Sequence, residues 1–420
     1  MTRPRPSSTG LQSGGLRRLV AEETGKSLPA VLIVLAVGLL LITPLLSGSS
    51  TGLLATRAAD QALLGQYALD AGAEYGIWKL RYDPAFRSAV DAVPLTPVPV
   101  VPAMSLNGYS PSVTAMALAV SGWSNRANTP ATIQPGGALA YGGGDYLYAL
   151  CGTRDFWRYS VAGNAWAARA DIPSNVGSGA ALAWDGANYL YALRGGNQST
   201  FWRYSPSGNS WAAMALTPQR VRDGGALAYN LGFVYAFRGD NTSDFWRYSV
   251  ALNMWVLRTS APGNVRAGGA LAGAGGNRIY ALQGGGQQGF WRYDTLSNSW
   301  SLRAQTPNAV GAGGTLVYTG GDYLFAFRGN DTTEFWRYSI PDDTWVTLTG
   351  APAAVGDGGS LAYADGVYVY ALRGANGDSF WRHRAQPPQY DLVAQNGART
   401  ITTRIEISGP AITILFWDLE

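Results

Sequence analysis

The groups that could do chemistry are few in kind. Arg194, Arg238, Arg328 and Arg373 recur at one place of a repeating pattern, each beside a polar segment that differs from its counterparts. A ring of guanidinium groups suits carboxylate-bearing sugars or acidic peptides, because the planar fork meets a carboxylate with two parallel hydrogen bonds. The plainer reading is that each arginine pairs with a neighbouring blade's acid or aromatic ring. Arg220, Arg222 and Arg266 stand in a second series of loops, and Asp240 and Asn330 lie in the variable segments with Asp244, Asp331 and Glu334. The spacing of these acids fits neither a calcium loop nor a glycosidase pair. One cysteine (Cys151) and one histidine (His383) exclude a disulfide within the chain and a His-Cys metal cluster. There is no nucleophile elbow, phosphate loop or dinucleotide fingerprint. The inventory points to binding rather than catalysis, with no cofactor and no metal.

The elements that carry these residues repeat. The triplet FWR begins at Phe156, Phe201, Phe245, Phe290, Phe335 and Phe380, at intervals of 44 or 45 residues. Trp123, Trp166, Trp211, Trp255, Trp300 and Trp345 run in step with it, and a proline follows each by seven residues, from Pro130 to Pro352. Within one period, GGALAY, FVYAFRG, FWRYS and a segment opening at Trp255 read as four short strands separated by turn residues. Four antiparallel strands every ~45 residues are the signature of a propeller blade.

Glycine after the second strand, tyrosine in the third, tryptophan opening the fourth and proline beyond it resemble the kelch repeat over residues 121–385. The resemblance implies a six-bladed β-propeller. It departs at one point. Kelch repeats carry two glycines after the second strand, whereas here the first is replaced by Cys151, Arg194, Arg238, Gln283, Arg328 or Arg373. Some kelch-like propellers are copper oxidases, and this chain lacks their histidines; His383 takes the repeat's tyrosine place and reads as a packed substitute. The tryptophan series starts before any first strand and the FWR series ends without a tryptophan. The strand at 121–127 is therefore expected to complete the last blade with residues 358–384, which leaves no open edge.

Six equivalent copies mark FWR as scaffold, with Phe and Trp filling the space between blades and Arg stacking on a ring or bonding to loop carbonyls. The competing reading is an aromatic platform for sugars or cations. The loops after the second strand (TRD, GNQST, DNTSD, GGQQG, NDTTE, ANGDS) differ from one another, as expected where recognition rather than scaffold is encoded. The resemblance places them on one face with the loops carrying Arg220, Arg222 and Arg266. An ordinary solvated rim is the alternative.

Residues 1–26 hold five basic side chains against two acidic ones, so three of the net +4 charges sit there and the rest is near neutral. The pI of about 9.0 thus gives no ground for a nucleic-acid partner. Residues 27–46, SLPAVLIVLAVGLLLITPLL, contain no charge and match a ~30 Å hydrocarbon core. The expectation is a single-pass membrane anchor with a cytoplasmic N-terminus and an exported propeller; a cleaved signal peptide is the alternative. Beyond it, 56–80 has helical periodicity with Leu63, Tyr67, Ala71, Tyr75 and Trp78 on one stripe.

A helix running from about 28 to 80 resembles the spine of type IV pilin-like proteins, minor pilins especially. That resemblance implies pilin-like subunits as partners and a stem packed on a small sheet. Pilin precursors are cut after a glycine and usually have Glu fifth in the mature chain. A cut after Gly25 would put Ala30 fifth, which fits a membrane-held relative as well as a fibre subunit. Residues 390–418 alternate as strands around Asn396-Gly397, and VVPAMSL and SVTAMALAV flank Asn107-Gly108. Together they predict one sheet (81–120 with 386–420) on the helix stripe, interrupted by the propeller and entered through Pro94, Pro97, Pro99 and Pro102. The expected function is binding or adhesion at the cell surface, to a glycan or a protein. A purely structural role in a pilus-like or envelope assembly is the alternative, and a propeller hydrolase comes last.

Overall fold

The computed structural model describes residues 50–101, 105–118, 122–408 and 411–420. The basic segment, the 27–46 run and the Gly25 position lie outside these residues. Among the described ones, no helix is long and apolar enough to cross a membrane. The chain divides into two compact units, one of them Val120–Pro387 and the other joining Pro388–Glu420 to the chain before Val120.

Val120–Pro387 is mainly β and propeller-like: its described strands form six four-stranded antiparallel sheets. The first sheet is Gly137–Tyr141, Tyr146–Cys151, Phe156–Ser160 and Ala165–Ala168. The next four repeat that order along the chain. The sixth takes Ser360–Ala364, Tyr368–Leu372 and Phe380–Arg384, then completes itself with Trp123–Asn125, which pairs Trp381↔Asn125 and His383↔Trp123. The strand at Trp123 thus closes the last sheet, as its spacing requires. First strands touch in a cycle, the sixth against the first.

The triplet acts between sheets. On strand Phe245–Ser249, Phe245 faces the following sheet and shares a core with Trp291 and Tyr293; Trp246 and Tyr248 face the preceding one, with Phe201. Burying each such ring is worth roughly 1.5–3 kcal/mol, and edge-on contacts such as Phe245–Trp300, centroids 4.9 Å apart, add to it. In five sheets the arginine lies over the ring that opens the second strand, as Arg158 does over Tyr146 at 4.0 Å. The Phe and Trp of the triplet are buried in all six sheets.

The tryptophan series is a clasp. Trp300 donates Nε1–H to the Thr259 carbonyl at the exit of the preceding sheet. Asn298 accepts from the Thr259 N–H and from the Tyr293 hydroxyl, which in turn accepts from Arg258 Nε. The same set ties Trp211, Asn209, Tyr204 and Arg169. Asn298 has φ +55, a left-handed conformation that asparagine tolerates, which is why this turn carries Asn or Asp. Two seams lack the arginine. At one, Met214 packs in the core of Tyr248, whose hydroxyl is pushed up to about 12 by burial and by Tyr191; at the other, Leu348 holds the arginine's place and His383 the tyrosine's.

In the other unit, Val98–Pro99, Ser112–Ala117, Gln389–Asn396, Arg399–Ser408 and Ala411–Leu419 form one antiparallel sheet in that order. The first strand lies just ahead of VVPAMSL, of which 102–104 are outside the described residues; proline confines it to an edge. Asn107 and Gly108 turn with φ +54 and +80 between bridged Leu106 and Tyr109. Helix Ser50–Tyr82 packs on this sheet with Tyr75 of the expected stripe against the core, but the stripe is not its buried face. Its buried face is Gly65, Ala68, Leu69, Gly72, Ala73, Gly76 and Leu80, while Leu63 and Trp78 are exposed. The reason is close approach: a Cβ on Gly76 would run into Leu392 Cδ2. A short helix, Pro84–Ala92, follows, capped by Asp83 accepting from the Phe86 N–H. The Asp-Pro pair that starts it was its sequence signal.

Candidate functional site

The loops after the second strand and those before the next first strand share one face, because they pair with each other. Gln198 bridges Val221, Thr242 bridges Val265, Gln287 bridges Val310, Thr332 bridges Val355, and Gly377 bridges Ile133. The second glycine of the kelch pair explains the departure from that pattern. Gly239 has φ +71, and a Cβ there would collide with the Asp223 carbonyl. Arg238 before it needs no left-handed backbone, so only one glycine is required.

The four arginines of this position are pinned to the loops rather than gathered around an axis. Arg194 Nε donates to the Asn175 carbonyl (3.0 Å), Arg238 to Arg220 (3.2 Å), Arg328 to Ala309 (3.0 Å) and Arg373 to Ala354 (3.2 Å); Gln283 does the same to Asn264. Arg238 also pairs with Asp244 at 2.9 Å and lies 3.7 Å from Asp240, and Arg328 pairs with Glu334. Arg222 reaches Asp240 at 3.2 Å, and Arg266 donates to Asn241 Oδ1 at 2.7 Å. Arg220 is exposed and gives its carbonyl to Arg238. Asn330 packs over Gly311. None of the four lines the axial cavity, and each Nε is bonded to a carbonyl of a loop.

What opens on the axis is a cavity of about 150 Å³, lined by the starts of all six first strands. Its wall is mostly glycine and alanine backbone; the ionisable groups on it are Asp223 and Asp357, with Ser178 beside them. They come from the third and sixth sheets, opposite in a ring of six. Burial raises the Asp357 carboxyl, with a further push from Asp223 and Asp331, while bonds from the Gly358 N–H and Ser178 ease it. Among the described residues, neither Asp223 nor Asp357 has a Lys or Arg partner within 4.0 Å. Sequence reading passed over these two aspartates because they precede the Gly-Gly of the first strand, where the repeats look most alike.

The first sheet breaks the rim's symmetry. Its loop after the second strand is two residues shorter than the others, has no bridge, and carries Cys151 instead of Arg. Cys151 is buried and bonded to Thr153, and burial pushes its thiol up, so it is not a reactive nucleophile. His383 is 9% exposed and held down to about 4 by burial, a neutral packing residue rather than a base. No group of three His, Cys, Asp or Glu side chains that could hold a metal occurs among the described residues.

The fold class these sheets define is that of the β-propellers. No protein-family model and no curated protein matches the chain. Among solved structures, one described as "Structure of YjhT" is similar at 15% identity and a TM-score of 0.51, covering 70% of this chain and 100% of that one. In all, 1084 solved chains are similar, so the likeness shows a widely used fold and selects no activity.

Proposed function

We propose that the chain is an exported binding module: a six-bladed kelch-type propeller on a pilin-like stem, anchored by residues 27–46 with its N-terminus in the cytoplasm and the ring outside the cell. It binds rather than catalyses. The observation that carries this is the axial cavity, where Asp223 and Asp357 face a polar, glycine-walled mouth with no Lys or Arg partner among the described residues. A mouth of that charge suits an amine or guanidinium group, on a glycan or on a basic protein loop, rather than the acidic ligands that a ring of arginines would take. The variable loops around it supply the second layer of selection. The pilin-like segment makes similar subunits the candidate neighbours in the membrane.

The full-length protein, screened in detergent against amino-sugar glycans and against basic and acidic peptides, should retain the cationic ligands only. Asp223→Asn with Asp357→Asn should abolish that retention while leaving the melting temperature unchanged. Retention of acidic ligands, lost in Arg238→Ala with Arg328→Ala, would return the site to the arginines. Protease added outside intact cells should reach the ring and spare a tag at residue 1; digestion of the tag would remove the anchor from this reading.

A further inference from the structure

The five-stranded sheet has two edges of opposite character. One is Val98–Pro99, two residues long and blocked by a proline, a protected edge. The other is Ala411–Leu419, nine residues long and paired on its outer side with no further strand among the described residues. Outer strands in the six other sheets are only three or four residues. On the long edge Ile414, Leu415, Phe416, Trp417 and Leu419 are each between 37% and 52% exposed. Asp418 and Glu420 are its only charges, both at one end. Such an edge, with unpaired backbone groups and apolar side chains, pairs with another strand unless something covers it.

We infer that the edge Ala411–Leu419 is an interface with a second copy of this chain, strand to strand and antiparallel about a two-fold axis near Leu415. Three observations select that occupant. The proline at Pro99 blocks head-to-tail growth from the other edge, leaving this edge to meet its own copy. A bulge sets Leu415 out of the ladder, since Arg404 faces Phe416 but Ile405 faces Ile414. A regular strand cannot follow the edge on both sides of that irregularity, whereas a copy turned about Leu415 carries the same irregularity at the same place. Antiparallel pairing also sends Asp418 and Glu420 to opposite ends, so no like charges meet. Trp417 also bonds the Asp70 carboxyl on the long helix.

The test is positional cross-linking in the full chain. Cys151 is 1% exposed, so an introduced surface cysteine is the one that reacts. Leu415→Cys should give a disulfide-linked dimer under mild oxidation, and Leu296→Cys, exposed in the ring, should not. Ile414→Lys with Phe416→Lys should weaken the dimer by about tenfold or more, ~1.4 kcal/mol, without moving the melting temperature. Cross-linking at Leu415 no faster than at Leu296 overturns the inference, because association through the 27–46 run would not favour one surface position. A dimer indifferent to the two lysines overturns it equally, and so does a chain that sediments as a monomer.

Discussion

His383 stands edge-on to Trp123, their ring centroids 5.1 Å apart, at the one seam where the strand that closes a sheet comes from the far end of the unit. Phe335 lies 5.0 Å from the same imidazole, and the Trp123 indole donates to the Thr349 carbonyl. In every other sheet a tyrosine hydroxyl fills this place. The closing seam is held by ring packing, where the others also use a hydroxyl network.

Acid should therefore act here first. Burial holds His383 at about 4 in the folded protein against 6.5 as its ordinary value, so its contribution is complete above about 6.5. It is lost as pH falls toward 4, because only the unfolded chain takes up the proton readily. The full loss is about 3 kcal/mol. His383→Phe should flatten this dependence: urea midpoints of the variant and parent should converge at pH 7 and separate at pH 4.5. Equal midpoints at both values would mean that His383 takes no part in acid sensitivity.

Asn298→Ala removes the acceptor for both Tyr293 and the Thr259 N–H, 2.6 and 3.1 Å away. The expected cost is about 2 kcal/mol. Asn298→Asp should recover most of it, since Asp343 fills the same place one sheet on, accepting from Tyr338 and the Ala304 N–H. Denaturant titration of the three proteins decides it, and a failed rescue would show that Thr259 and Tyr293 need the amide itself.

Arg238→Ala with Arg328→Ala should loosen loops and leave the sheets intact. Each arginine is about a quarter exposed and partnered by a part-exposed acid, so about 1 kcal/mol or less apiece is at stake. Amide exchange should quicken across 239–244 and 329–334 and stay slow in the strands. Global unfolding would assign these arginines a larger structural part than their bonds imply.

Gly76→Ala sets two effects against each other. Alanine is the better helix former by about 1 kcal/mol, but its Cβ collides with Leu392 and comes within 3.3 Å of Val113, an overpacking cost of about 1–3 kcal/mol. The net should be destabilising. Leu392→Val in the same chain should offset part of it, and additive losses in the double-mutant cycle would disprove the contact.

The sheets were legible because their repeat is written in large aromatic residues. Phe245, Trp246 and Trp255 announce a period, and the unpaired Trp123 announces how the last sheet is finished. The helix face was not legible, because a pattern search rewards large apolar residues. Tyr67 and Trp78 drew the stripe away from Gly72 and Gly76, whose value lies in what they lack. The arginines were found as a series, and a strut role was foreseen only toward a neighbouring blade's acid or ring: nothing in Arg194 or Arg373 tells that Asn175 and Ala354 will offer a carbonyl. Asp223 and Asp357 stayed hidden because their meaning comes from standing opposite each other, a relation no local window contains.

Closing the sixth sheet with Trp123–Asn125 has a consequence in time. Ser124 and Arg382 are 258 residues apart, so at about 5–20 residues per second the first of these strands waits ~10–50 s for its partner during synthesis. Through that interval each new FWR strand offers the kind of edge on which Trp123 will finally settle, and the earliest, Phe156–Ser160, is made long before Phe380–Arg384. Ala165–Ala168 must reach that edge before the older strand does. A chain stalled once residue 162 has left the exit tunnel should hold Trp123 against Tyr159, and one stalled once residue 175 has emerged should release it, which a cysteine pair at Ser124 and Arg158 would record. Order of arrival, and not affinity alone, keeps the first strand free for the last.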